Sequence, residues 1–382
     1  MADKIVQLCA ADYPELMVML DQAFGGVSGI TLAPYYQPCE ASMRCNYAIW
    51  RDRVMAAVVS LFPISWQVDK VQLDVAGIGG VAVAPQFRRQ GLMIKLMDHV
   101  RDQIIGQGHQ LSFLSGNRHR YRYFGWERAG TMTLAHISKT CIQHTFGRTE
   151  PLEIELEELV PDPATNSKLK SLHDRQSAYC RRPVDRFDQF LTHWGNQPVV
   201  AHDRSGQIVG YAVLYRDQTQ IVELAADDDD TAIQIIRSLS DKSEHHQITL
   251  NVDQLPMSLR YRIGEFTESY AVSTAGNWQV FDWPTVISAL LAYAQNQAAL
   301  SPASVVVGID DLHLILRLTI DNERTQCKAT DDKPDIHGDS ATILRLLFGP
   351  LPPRQVMDIP RSASILASWC PLPLSLSKPD QV

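Results

Sequence analysis

The chain has 382 residues, 45% hydrophobic and 20% charged, with a net charge of −8, which is enough for two or three domains with sizeable cores. The acidic balance argues against nucleic acid or an anionic membrane as partner, and no apolar run reaches bilayer-spanning length. Seven cysteines lie scattered at 9, 39, 45, 141, 180, 327 and 370 with no Cys-x-x-Cys pair, and the N-terminus lacks a signal-peptide core, so a cytoplasmic protein with reduced thiols and no metal site is expected.

In chain order, residues 5–24 read as an apolar-periodic helix after Ala10-Ala11-Asp12-Tyr13-Pro14, with strands near Arg44–Trp50, Val54–Ile64 and Val71–Val75. The most telling stretch follows, Ile78-Gly79-Gly80-Val81-Ala82-Val83-Ala84-Pro85-Gln86-Phe87-Arg88-Arg89-Gln90-Gly91-Leu92-Met93. Its start is a buried strand, ended by a proline that cannot donate to a ladder. The glycine pair marks either a bulge or a packing contact. Gly91 opens a helix whose Leu92, Met93, Leu96, Met97, Val100 and Ile104 share one broad face. A strand feeding a helix through Arg-Arg-Gln-Gly forms an anion site, because first-turn amides point outward unpaired and arginines add charge-assisted bonds. Gln110–Ser115 is the next buried strand, so strand, helix and strand make one parallel crossover unit within an α+β sandwich reaching about residue 148.

Arg88-x-x-Gly91-x-Met93 after Val-Ala-Val-Ala-Pro resembles the acetyl-CoA pyrophosphate motif of the GNAT acetyltransferase superfamily. Met93 stands where Gly or Ala is usual, and that bulk is similar to the enhanced-intracellular-survival (Eis) type of N-acetyltransferase. The resemblance implies acetyl-CoA as co-substrate, held by Val81, Ala82, Val83, Arg88, Arg89, Gln90, Gly91, Leu92, Met93 and Ile94, with Ser115, Gly116 and Asn117 beside the pantetheine arm. Amides of Val81 and Val83 would polarise the thioester carbonyl. Gly116–Trp126 resembles the family's Tyr-x-x-Phe-Gly-aromatic segment, in which Tyr121 matches the general acid and Tyr123 is the alternative. A phenol with pKa near 10 keeps its proton at neutral pH and can give it to a thiolate. His119 reads as an exposed loop residue, and Glu244-His245-His246 as a solvated loop without metal spacing.

Residues 149–167 combine Glu-rich alternation with Pro161-Asp162-Pro163 and read as a linker. A second unit over 149–273 repeats the strand order, with strands at Pro198–Ala201, Ile208–Tyr215, Val222–Leu224 and Gln247–Val252 and a helix at Thr231–Leu239. Asp227–Asp230 stand where its phosphate loop would be; they cap the helix and would repel a pyrophosphate, so this unit is expected to be degenerate.

A third unit over 274–382 has a helix from Trp283-Pro284, strands at Ser304–Ile309, His313–Asp321 and Arg324–Lys328, and a helix Ser340–Leu347. It resembles the sterol-carrier-protein-type domain that ends Eis-type enzymes, and the tripartite order runs through the whole chain. The Pro-rich tail from Trp369 is extended. It is either disordered or, as the resemblance implies, docked so that the Val382 carboxylate serves as base for the amine. That implied chemistry is direct acetyl transfer to a primary amine (aminoglycoside-like, polyamine or lysine) by a homo-oligomer, possibly a hexamer. The other readings are a noncatalytic acyl-CoA-binding or sensing protein and a lipid carrier.

Overall fold

The computed structural model describes residues 4–25, 34–147, 152–322 and 324–382. Its N-terminal strands are β1 (Ile5–Gln7), β2 (Asn46–Arg51), β3 (Val54–Val68), β4 (Val71–Val83), β5 (Leu111–Leu114) and β6 (Glu127–Ser138). The β-branched runs of β3 and β4 form one long hairpin, turned at Asp69 with φ of 48°. Helices α1 (Tyr13–Phe24) and α2 (Leu92–Gly106) pack on it. α2 buries Leu92, Leu96, Met97, Val100 and Ile104, each contributing about 1.5–3 kcal/mol of transfer free energy. It carries the crossover between β4 and β5, which are parallel.

Helix α3 (Arg118–Arg122) lies between β5 and β6. The second unit has β7 (Ile154–Glu158), β8 (Ala178–Cys180), β9 (Gln197–Asp203), β10 (Ile208–Leu214) and β11 (Gln220–Ala226), then α4 (Asp229–Lys242) and β12 (Gln247–Asn251). Strand β13 (Ser269–Val280) then returns to the first unit. These thirteen strands form one sheet in the order β1-β2-β3-β4-β5-β13-β6-β12-β11-β10-β9-β7, with β8 beside β3. β13 lies antiparallel between β5 and β6, pairing Asn277 with Leu114 and Val272 with Thr133. The expected boundary at 273/274 therefore falls inside a strand. The remaining chain forms a sheet of β14 (Ala303–Ile309), β15 (Leu314–Ile320), β16 (Thr325–Ala329) and β17 (Ile336–Gly338), with helices α5 (Trp283–Gln297) and α6 (Ser340–Phe348).

Two local readings change, and one open alternative is decided. Ile5–Gln7 is a strand paired with β2, and the first helix starts at Tyr13, where Pro14 fits the first turn. The 149–167 linker is ordered over its described part: Ile154–Glu158 pairs with β9, and Pro163 opens a helix capped by Asp162, whose carboxylate accepts from Ala164 and Thr165 amides. The tail is docked, with Leu372, Leu374 and Leu376 buried. The aspartates before α4 do cap it: Asp228 accepts from the Thr231 amide at 2.7 Å, and Asp227 is taken by Arg175 at 2.6 Å. Among the described residues no helix is long and apolar enough to cross a membrane.

Candidate active site

The parallel pairing of β4 with β5 ends at Ile78 and Leu114. Beyond that pair the two strands form no further ladder, so the backbone of Gly79–Val83 and of Ser115–Asn117 is free of the other strand. The β3–β4 register also shifts between Val58 and Ser60, leaving Gly80 and Val81 together opposite one residue. Gly80 has φ of 55°, and a Cβ there would lie 2.7 Å from Ser60 Oγ and against the Tyr36 hydroxyl. The glycine pair is therefore a bulge. A cavity of about 410 Å³ opens at this wedge, with Gly79, Gly80, Val81, Ser115, Gly116, Asn117, Tyr121 and Val382 in its lining.

Tyr121 and Tyr123 separate by burial. Tyr121 is 6% exposed, lines the cavity and lies against Gly116, whereas Tyr123 is 74% exposed and points to solvent. α3 sets this orientation, capped by Asn117, whose Oδ1 accepts from the His119 amide at 3.0 Å. Asn277 of β13 supports the turn by donating to the carbonyls of Leu114 and Gly116, both at 3.2 Å. Buried Glu127 takes Arg118 at 2.5 and 2.7 Å and fixes the helix from the other side. Burial raises the Tyr121 pKa, only partly offset by adjacent Arg120, so the phenol holds its proton at neutral pH. His119 is exposed on α3, and Glu244, His245 and His246 are exposed in a loop.

The basic loop lies beyond the cavity. Arg88, Arg89, Gln90 and Gly91 are all exposed, Arg88 Nε donates to the Val83 carbonyl at 3.3 Å, and Gln90 bonds to Arg51. Arg89 at φ 62° and Gly91 at φ 76° turn the chain into α2, whose first-turn amides have no side-chain cap. This is a ready cradle for an anion. Ala82 and Leu92 turn their side chains into the core, so a ligand would reach only their backbone. Met93 is half-buried and Ile94 exposed at the helix start.

The tail brings Val382 into the wedge, where Ser115 Oγ donates to a carboxylate oxygen at 3.3 Å and the Val382 side chain packs on Gly77 and Gly79. Tyr35, His193 and Trp194 each donate to a tail carbonyl, respectively of Asp380 at 2.7 Å, Pro379 at 3.0 Å and Gln381 at 3.0 Å. Beneath them Arg182, wholly buried, spans two carboxylates: Asp380 at 2.7 and 2.8 Å and Glu223 at 2.9 and 2.6 Å. Ser377 and Tyr211 complete the shell of Glu223 at 2.5 and 2.8 Å. Burial alone would raise the Glu223 pKa, but the Arg182 charge outweighs it and holds the group well below its usual range. Together with His173 these carboxylates could be taken for a metal cluster, yet the guanidinium already bonds both of them. The Asp380 carboxylate is thus committed to Arg182.

Sequence reading did not find Tyr35, Tyr36, Phe62, Arg182, Trp194 and Arg216 as site residues. Arg182 and Trp194 belong to the second unit in sequence, and nothing in their spacing places them at a wedge formed by the first.

Residues 4–129 match a family described as an acetyltransferase (GNAT) domain, and residues 181–267 match a second family of the same description. No curated protein matches the chain by sequence. Among solved structures, a GCN5-related N-acetyltransferase from Kribbella flavida aligns over 99% of this chain and 98% of its own, with TM-score 0.69 at 15% identity. One from Anabaena variabilis aligns over 98% of each, with TM-score 0.65 at 17% identity. Eis1 from Mycobacterium abscessus aligns over 99% of this chain and all of its own, with TM-score 0.67 at 17% identity. Two acetyltransferase domains joined in one sheet, with a β4–β5 wedge and a basic loop before α2, place the chain in the GNAT acetyltransferase superfamily, with the whole-chain fold of an Eis protein.

Proposed function

We propose that the protein is an acetyl-CoA-dependent N-acetyltransferase that passes acetyl directly to a primary amine in a ternary complex. The observation that carries this is the shared cavity of a buried, protonated Tyr121 and the Val382 carboxylate at the open end of the β4–β5 wedge. The loop Arg88–Gly91 and the α2 amides hold the pyrophosphate. The Val81 amide, released from the ladder by the bulge, polarises the thioester oxygen. The amine gives its proton to the Val382 carboxylate and attacks the carbonyl carbon. The C–S bond breaks, and the thiolate takes the Tyr121 proton.

In this reading the C-terminal sheet with α5 and α6 is a sterol-carrier-protein-type unit that carries the tail back to the site. Several chains associate through the second and third units, up to a hexamer, in the cytoplasm. Thiol release from acetyl-CoA with a panel of primary amines tests the activity. Amine-dependent release is expected, and extending the chain beyond Val382 by two glycines should abolish most of it. Tight acetyl-CoA binding without release from any amine would favour a sensing role and overturn the proposal. Light scattering that finds a dilute, active monomer would overturn the assembly.

A further inference from the structure

We infer that the acceptor is a single amine on an aromatic or apolar body that also bears an anionic group, and is not a polycation. This rests on the acetyltransferase reading above and names its acceptor class.

The cavity's acceptor side is walled by rings. Tyr35 lies 5.0 Å from Phe62 and 5.3 Å from His193, and Trp194 stacks on His193 at 5.0 Å. The hydroxyls of Tyr35 and Tyr36 are engaged, one by the Asp380 carbonyl and the other by Ser60 Oγ at 2.9 Å. These tyrosines therefore offer ring surface, which suits a flat or apolar body.

The charges have the sign opposite to that of the chain. Two arginines, Arg120 and Arg216, line the cavity, and among the described residues no aspartate or glutamate does. The chain as a whole has net charge −8, so the basic cavity is a local inversion. Arg216 comes from the turn between β10 and β11 and rests over the Tyr215 ring at 5.4 Å; it makes no salt bridge among the described residues, since the adjacent Asp217 carboxylate, which feels its charge, is hydrogen-bonded to Thr219 at 2.7 Å. An adjoining cavity of about 420 Å³, which shares Ser115 and Gly116, is lined by Arg128 and Lys378 and, among the described residues, by no acidic side chain. A polycation entering here would find one carboxylate, at Val382, and several repelling cations. An acceptor with one amine and one acid would place the amine at Val382 and the acid at Arg216. The pyrophosphate has its own cradle at Arg88–Gly91, so Arg216 is not needed for it.

The test compares 4-(2-aminoethyl)benzoate, phenethylamine and spermine as acceptors for the full-length protein with acetyl-CoA. The benzoate is expected to show a kcat/KM about tenfold above phenethylamine, with spermine lowest, as one charged hydrogen bond would give. Arg216→Gln should cut the benzoate-to-phenethylamine ratio by about tenfold, mainly through KM. A preference for spermine, or a ratio unmoved by Arg216→Gln, overturns the inference while leaving the acetyltransferase reading in place. If no amine releases thiol, that reading fails. Calorimetry in the presence of coenzyme A then decides the inference separately: binding of the benzoate but not of spermine sustains it, and any other outcome overturns it.

Discussion

Gly80 answers two constraints at once. Its φ of 55° is a conformation L side chains rarely adopt, and the space a Cβ would take is filled by Ser60 and Tyr36. Gly80→Ala should cost about 1–3 kcal/mol, read as a fall in urea midpoint, and should lower turnover further by flattening the bulge that frees Val81. Tyr121→Phe should reduce turnover about a hundredfold with little effect on acetyl-CoA affinity. Tyr123→Phe should be mild, because that ring is 74% exposed; reversed effects would make Tyr123 the acid. Much of this scale was legible. Arg-x-x-Gly, the glycine pair and the tyrosine spacing are local features whose geometry is set within a dozen residues. Tyr35, Phe62 and Trp194 were not legible, since an aromatic residue reads as core until the fold shows one face open to a cavity.

At the scale of elements, the docked tail is held by buried charge. Arg182→Met would strand Glu223 and Asp380 as unpaired buried carboxylates, a loss of about 3–5 kcal/mol. Hydrogen exchange should show protection lost first across 372–382. Adding Glu223→Gln and Asp380→Asn should recover part of that protection. His193 makes the same docking pH-dependent. Burial lowers its pKa from 6.5 to about 4, against the opposing effect of the Pro379 carbonyl. Between those values the unfolded chain takes up the proton and the folded one does not. Stability is therefore whole above about pH 6.5 and falls by about 1.4 kcal/mol per pH unit down to about pH 4. Urea midpoints at pH 7 and pH 4.5 should show this drop, and His193→Gln should flatten it. The strands of the second unit were visible from their alternation, but Arg182 was not visible as an anchor, because its two partners lie 41 and 198 residues away.

For the whole molecule, the two acetyltransferase units differ in what stands before the helix, a basic loop before α2 and aspartates before α4. Calorimetry should find one acetyl-CoA per chain, because Asp227 and Asp228 at the start of α4 are spent on Arg175 and on the helix cap; a stoichiometry of two would contradict this. The element order of the third unit was readable from its periodicity. β13 was not, for its Ser-Tyr-Ala-Val-Ser-Thr-Ala-Gly run has few large apolar residues and its first five residues are exposed, so no buried alternation marks it as a strand. That strand has a temporal consequence. Its register partners in β5 and β6 leave the ribosome well over a hundred residues before it does. At ~5–20 residues per second, the nascent first domain waits roughly 7–30 s with one edge of β5 and both edges of β6 unmatched, since β12 also comes later. The loop that must then close is long, and closing it is entropically slow. A ribosome that stalls between residues 150 and 260 would thus expose an incomplete sheet, and chaperone capture during synthesis should peak over that interval and fall once Val280 has emerged.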